Sequence, residues 1–428
     1  MTSFTKAALA AALSFGALAV ASTPAVAQKK DAAAAPAAKP IKLSNDVRKP
    51  AGELEAALKA NDLATAKAKV AEVEAAAKSD DEKYYAGVQK LQIAAKENDM
   101  TTLGTAITAL LANPRTPQED RAKYHYFRGQ GYLGAKNYQA ALTDFQEAQK
   151  LGYQDTNGDL GLRIVQTQFD AGNTAQGLQS LQQAIAAQKA AGRKPGEDLY
   201  KFGLSRAYKA GMKAETLAMA KAYLADYPTA ENWRTTIILF RDASGANALD
   251  RPQKIDLFRL MRAANALADQ NDYYEYADLA FRAGLPAEAK TVIDAGRAAG
   301  KIQASHTGIS GLYSDAQASM KNEGSYTTLE TRSKSAADGK LAAATGDGYL
   351  GQGNYAKAVE LYRLALSKGG AIDQDAVNTH LGIALAMSGQ KEPAKQAFAA
   401  VKTTPRSDIA GFWNFYLDSG ASATASAG

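Results

Sequence analysis

Two short stretches have the spacing of a nucleotide-binding loop. Gly129-Gln-Gly131-Tyr-Leu-Gly134 and Gly346-Asp-Gly348-Tyr-Leu-Gly351 both read G-x-G-x-x-G. Such a loop cradles a pyrophosphate when it follows a strand and opens a helix, because backbone N–H groups at the helix start then face the phosphates. Here both stretches close a helical run and precede a turn. An internal repeat explains their matching placement without a ligand. Asp155-Thr-Asn157-Gly-Asp159 has the alternating oxygens of a calcium loop. Leu160 stands where that loop needs glycine, and Gln166 where it needs glutamate. We read it as a turn between repeats, with Asp or Asn capping the next helix. Ser388-Gly-Gln-Lys391 matches the S-x-x-K of serine acyl enzymes, yet it lies on a turn and the chain has no S-D-N or K-T-G partner element.

The titratable residues are equally dispersed. His125, His306 and His380 are far apart and make no His-x-x-His pair, so no metal site is expected. His125 stands at an aromatic position between two helices and should be buried or half-buried. His380 should be exposed on a helix face. Asp80 and Asp81 fall in a linker and should be solvated. Asp242, Asp250 and Arg251 gather in the least repeat-like segment, 231–267, without a nucleophile and base at workable spacing. The chain has no cysteine. That excludes disulfides, thiolate metal sites, a cysteine nucleophile and a cysteine-linked lipid anchor. Nothing in these residues implies a cofactor, and the expected chemistry is not enzymatic.

The 428 residues are 46% apolar and 22% charged, which suits a packed globular chain. Residues 1–27 have the layout of a secretory leader: Lys6, an apolar run from Ala7 to Val20, and Ala25-Val26-Ala27 as a cleavage site. We expect export, with the mature chain starting at Gln28, into a bacterial periplasm or beyond. No later run is long and apolar enough to span a membrane. Without the leader's single lysine there are 49 basic residues against 44 acidic, a net charge of about +5. The charges of both signs alternate, whereas nucleic-acid binding asks for a concentrated basic stripe. Residues 28–49 are rich in Ala, Pro and Lys and read as a flexible linker. Residues 419–428 read as a tail with too little apolar surface to pack.

Between these ends the apolar residues recur at steps of three and four, the helical period. Turn signals interrupt them regularly: Ala-Asn-Asp at 60–62, Glu-Asn-Asp at 97–99, Ala-Lys-Asn at 135–137 and Ala-Gly-Asn at 171–173. Ala-Gly-Met at 210–212, Ala-Gly-Leu at 283–285, Gln-Gly-Asn at 352–354 and Ser-Gly-Gln at 388–390 continue the series. The steps are about 36, 39, 36, 39, 73, 69 and 36 residues, so a degenerate unit should lie in each of 230–268 and 303–338. A period of this length marks a solenoid of stacked supersecondary units. Each unit should be an antiparallel helix pair closed by a left-handed residue. Tyr349 should pack toward Tyr355 and Tyr362, with Ala358 and Ala365 small where the two backbones meet.

The pattern resembles the tetratricopeptide repeat (TPR) family. Gly346, Tyr349, Gly353, Tyr355, Ala358, Tyr362 and Ala365 carry the likeness in one unit. Gly129, Tyr132, Tyr138, Ala141, Phe145 and Ala148 carry it in a second, and Leu381, Gly382, Gly389, Ala394 and Phe398 in the last. The resemblance covers about 350 residues, 50–404. It implies an all-α, right-handed solenoid of about ten helix pairs, followed by a C-terminal capping helix over 405–418 in which Phe412, Trp413, Phe415 and Tyr416 cover the end of the stack. It also implies a groove lined by the first helix of each unit. The groove positions are Tyr126 and Gln130; Lys201, Ser205, Tyr208 and Lys209; and Tyr274, Asp278 and Phe281. The expected role is a scaffold or adaptor that binds a protein or peptide there. The alternative is an envelope recruitment factor for peptidoglycan, exported polysaccharide or the machinery that makes them. The family's Lys/Asn clamp for a C-terminal carboxylate is not reproduced, since Ser205 follows Lys201 where Asn would stand.

Overall fold

Small and straight-chain side chains lose little freedom in a helix, so the Ala-, Leu-, Lys- and Gln-rich runs fold as helices and stop where glycine or asparagine intervenes. The computed structural model describes residues 40–153, 160–244, 248–303 and 305–419. Among these it holds twenty-one α-helices and no strand. The chain divides into two units, Met1–Ala190 and Ala191–Gly428.

In the first unit the helices are α1 (Asn45–Lys59), α2 (Leu63–Ala76), α3 (Asp80–Glu97), α4 (Met100–Ala112), α5 (Gln118–Gly134), α6 (Tyr138–Lys150), α7 (Leu160–Asp170) and α8 (Thr174–Ala190). The second unit contains α9 (Glu197–Lys209), α10 (Lys213–Asp226), α11 (Ala230–Ser244), α12 (Arg251–Ala263), α13 (Gln270–Arg282), α14 (Pro286–Ala298) and α15 (Thr307–Asn322). It continues with α16 (Tyr326–Ser335), α17 (Lys340–Gly351), α18 (Tyr355–Lys368), α19 (Gln374–Met387), α20 (Lys391–Ala399) and α21 (Arg406–Asp418). The calcium-like stretch 155–159 and the segments 1–39 and 420–428 lie outside the described residues.

All eight turns marked in the sequence close a helical hairpin in the same way. The central residue has positive φ at each, from 54° at Asn61 to 80° at Gly172. The next N–H then reaches back to a carbonyl five residues earlier, as Asn137 does to Tyr132 at 2.8 Å and Asn354 to Tyr349 at 2.9 Å. This is the Schellman arrangement, and it satisfies carbonyls that the helix end leaves open. The same residue starts the following helix. Asp62, Asp99, Asn137 and Asn354 accept the backbone N–H three residues on. One left-handed residue and one cap therefore reverse the chain.

Three hairpins are tight because a glycine faces an aromatic ring. A methyl group on Gly129 would lie 2.7 Å from Phe145, one on Gly346 2.8 Å from Tyr362, and one on Gly382 2.4 Å from Phe398. The closest approach is thus at these glycines, with Ala358 and Ala365 fully buried beside them. Tyr349 departs from the expected packing. Its ring meets Tyr326 at 5.0 Å and its hydroxyl donates to Glu330, both on the preceding helix, instead of turning toward Tyr355 and Tyr362.

Both double-length steps do contain two helices, but these do not pair as hairpins. In 230–268, α11 packs along α10, while α12 packs on α13 and α21. In 303–338, α15 packs on α14, α16 packs on α17, and α14 meets α17 directly. A methyl group on Gly351 of α17 would strike Glu288 of α14 at 2.7 Å. Residues 40–49 correct the linker reading. Leu43 and Val47 are buried, and the Glu82 carboxylate accepts the N–H groups of Ser44, Lys78 and Ser79 at 2.9–3.0 Å. The linker's last ten residues are therefore folded onto α3.

α21 is more than an end cap. Trp413 stacks near Phe398 of α20. Phe412 meets Phe240, and Phe415 and Tyr416 meet Trp233, all on α11. The Tyr416 hydroxyl donates to the Ala263 carbonyl of α12 at 3.1 Å. The second unit thus joins its end to residues about 150–180 positions earlier, whereas a simple solenoid contacts only successive neighbours.

Two outcomes follow. Gly129→Ala should cost about 1–3 kcal/mol in urea unfolding, because Phe145 cannot yield easily. Gly131→Ala, which meets nothing within 4 Å, should be neutral or stabilising by up to about 1 kcal/mol; a phosphate loop would require both glycines. Ending the chain after Thr404 should also raise amide hydrogen exchange in Arg251–Ala263, a helix remote in sequence. Exchange changes confined to Gln374–Ala399 would mean that α21 only caps the end.

Candidate functional site

α9 is amphipathic in the required sense. Tyr200, Gly203 and Ala207 face inward, and Lys201, Ser205, Tyr208 and Lys209 are exposed. Tyr208 is 68% exposed, the most open large apolar side chain among the described residues. Lys201 pairs with Glu197 at 2.7 Å, and that carboxylate also accepts the Tyr223 hydroxyl at 2.7 Å. Beneath them Tyr200 and Tyr223 stack at 5.4 Å and the Lys194 ammonium lies 3.8 Å from the Tyr227 ring centre, so the stripe stands on a rigid aromatic base.

The other expected groove residues fare unequally. On α13, Tyr274 is 40% exposed with the His306 ring 5.9 Å away; Asp278 holds Arg282 at 2.8 Å, and Phe281 is half-buried against the core. On α5, Tyr126 is buried and stacks on Tyr153 at 4.4 Å, so it is a core residue with no free face for a partner. Gln130 is half-buried. The α9 and α13 sets sit on helices with different packing partners and do not converge on one point.

The residues that looked chemical serve the fold. His125 is half-buried and binds Asp144 at 2.8 Å, a carboxylate that Arg128 also grips with two nitrogens at 2.7 and 2.8 Å. His306 caps α15, its Nδ1 accepting the Ile309 N–H. Asp250 caps α12 in a reciprocal box with Gln253, and Arg251 donates to the Arg282 carbonyl at 2.7 Å. Asp80 is exposed as expected, but Asp81 is not simply solvated: it binds Arg115 at 2.5 Å and the Lys42 N–H at 2.9 Å. Ser388 donates to the Ala384 carbonyl from a helix end. Among the described residues no group of three His, Cys, Asp or Glu side chains is placed to hold a metal ion, and no helix is long and apolar enough to cross a membrane.

His380 overturns its expected placement. It is buried, at the centre of an ionic cluster that the sequence reading missed. Its Nδ1 lies 2.7 Å from Asp347 and its Nε2 3.2 Å from Asp256. Asp256, fully buried, also binds Arg259 at 2.9 Å and Arg406 at 2.8 Å. Arg259 makes a two-pronged contact with Glu288 at 2.9 and 2.7 Å, and the Tyr276 and Tyr362 hydroxyls donate to Glu288 and Asp347. The cluster links α12, α13, α14, α17, α18, α19 and α21. Burial works against ionising Asp256, but the His380, Arg259 and Arg406 charges together outweigh it and hold the carboxyl at about 2. One signal was present in the sequence. Ile255, Leu257, Phe258, Leu260 and Met261 surround Asp256 and Arg259 on every side of the middle of α12, and a stretch apolar all round buries the charges within it.

No family model and no curated protein matches this chain. Among solved structures it is similar to a tetratricopeptide repeat protein from Parabacteroides merdae, at 11% identity over 70% of this chain and 99% of that one, with a TM-score of 0.25. It is similar to yeast Tom70 at 10% identity over 88% and 89%, TM-score 0.23. It is also similar to the pentatricopeptide repeat protein PPR10 from maize at 14% identity over 90% and 58%, TM-score 0.26. Scores of this size carry no argument about function. The class rests on the chain's own hairpins: this is an all-helical, TPR-like repeat protein.

Breaking the buried cluster from one side leaves an uncompensated charge, which typically costs about 3–5 kcal/mol. Arg406→Met should therefore lower the urea midpoint strongly. Removing the exposed Lys391–Asp418 pair, 3.2 Å apart, through Lys391→Met should change it by less than about 1 kcal/mol.

Proposed function

We propose that this chain is a non-enzymatic adaptor, exported to a bacterial periplasm, that binds a protein or peptide along the exposed face of its first helices. The observation that carries this reading is the α9 stripe. Lys201, Ser205 and Tyr208 fall at steps of four and three, so they share one face, and the aromatic member is left open to water. Tyrosine contributes apolar area and a hydroxyl at small entropic cost, which makes it a frequent anchor at interfaces. Asp144 and Glu288 are engaged in ion pairs and Asp250 in a helix cap. The leader-like residues 1–27 support export. Tyr126 leaves the proposed surface, because its ring is covered.

The test is affinity capture from periplasmic extract with the chain beginning at Gln28, followed by mass spectrometry. A specific partner should be recovered, and Tyr208→Ala should weaken its binding by about tenfold or more with an unchanged thermal midpoint. Equal capture by the variant would remove the α9 face. Retention on purified peptidoglycan in place of a protein would move the site to a sugar ligand.

A further inference from the structure

We propose that His380 is a doubly paired imidazolium latch, fastening the last helices of the second unit to α12, and that loss of its proton loosens this closure. Both ring nitrogens face carboxylates: Nδ1 is hydrogen-bonded to Asp347 at 2.7 Å, and Nε2 lies 3.2 Å from Asp256, within ion-pair distance though not aligned as a hydrogen bond. A neutral imidazole has one N–H and would aim a lone pair at one of those anions, so the geometry asks for the charged ring. The charge count agrees. Asp256, Glu288 and Asp347 supply three negative charges; Arg259, Arg406 and His380 supply three positive ones. Removing one proton leaves an unbalanced carboxylate in a buried site, a costly state that admitting water relieves.

His380 is placed to transmit that change. It sits on α19, against which α21 packs, and it faces Asp256 of α12 and Asp347 of α17. Arg406, the first residue of α21, binds the other oxygen of Asp256. Tyr362 of α18 donates to Asp347, and Tyr276 of α13 donates to Glu288 of α14. Burial disfavours the charged ring, but the two carboxylates outweigh it and raise its pKa from an ordinary 6.5 to about 9. Asp256, fully buried, and Asp347, half-buried, are held low by the facing cations, and burial pushes the Tyr276 and Tyr362 phenols up. Because the folded value is the higher one, the latch stabilises fully below about pH 6.5 and its contribution is lost as pH rises through about 9. The cell-side consequence is a second unit that stays closed across neutral and acidic conditions and slackens in alkali.

The chain contains its own reporter. Its two tryptophans, Trp233 and Trp413, are both buried, one on α11 and one on α21, and share Tyr416 as a ring neighbour. The experiment follows the full chain from pH 6 to 10, recording the imidazole resonances of labelled histidine by NMR and the tryptophan emission maximum in parallel. His125→Gln and His306→Gln assign the remaining resonance to His380 without touching the latch. One imidazole should titrate well above its ordinary 6.5, near pH 9, and the emission should shift to the red reversibly with the same midpoint. His380→Gln, if it folds, should lack that midpoint. Titration of His380 below pH 7.5, an emission maximum that stays fixed while His380 loses its proton, or a midpoint near 9 that persists in His380→Gln would each overturn the proposal.

Discussion

A helical hairpin is too thin to shield its own apolar side. This constraint governs the chain. Two helices bring one seam together, at the glycine–aromatic contacts of Gly129 with Phe145, Gly346 with Tyr362 and Gly382 with Phe398. The outer faces of the same helices remain apolar, and only a neighbouring hairpin covers them. Burial proportional to area then favours a stack. The spacing of small and aromatic residues follows from the seam, and the repetition follows from the faces.

The second unit adds a different kind of contact. Its C-terminal helix returns to α11 and α12, and the junction is held by charges removed from water. Desolvating such groups is expensive, and the attraction between them repays it only where geometry is good. Here Asp256 meets three cationic partners and Glu288 is gripped by both prongs of Arg259. Apolar packing alone tolerates sliding, whereas a guanidinium–carboxylate pair fixes distance and direction. The aromatic seam around Trp233 and Trp413 supplies area, and the ionic cluster supplies the register.

These features also divide structural from available surface. The side chains that resemble catalytic groups are absorbed as caps and ion pairs, at His306, Asp250 and Asp81 among others. Among the described residues the exposed aromatic side chains are Tyr208, on the α9 face with Lys201 and Ser205, and Tyr274 beside His306. Open aromatic surface on a rigid helical support is suited to recognition.

The all-helical fold and the eight hairpin turns were legible in the sequence, because a left-handed turn residue and an N-cap are local requirements that recur at a fixed period. The seam was legible in part, since Ala358 and Ala365 are buried there, but Tyr349 turns to the preceding helix and the closest approach is at Gly346. The α9 face was expected from the family resemblance, and Lys201, Ser205 and Tyr208 are exposed on it while Tyr200, Gly203 and Ala207 are buried. The tertiary structure alone decided the rest. Tyr126 is buried because Tyr153, beyond the end of its own hairpin, lies over it. His380 is buried because α12 and α17, far from it in sequence, bring Asp256 and Asp347 to its two nitrogens. Arg406 finds its partner 150 positions earlier. Period and spacing describe a residue's relation to its own helix and its nearest neighbour. Contacts made when a stack closes on itself depend on where many hairpins have carried the chain, and no local pattern encodes that sum.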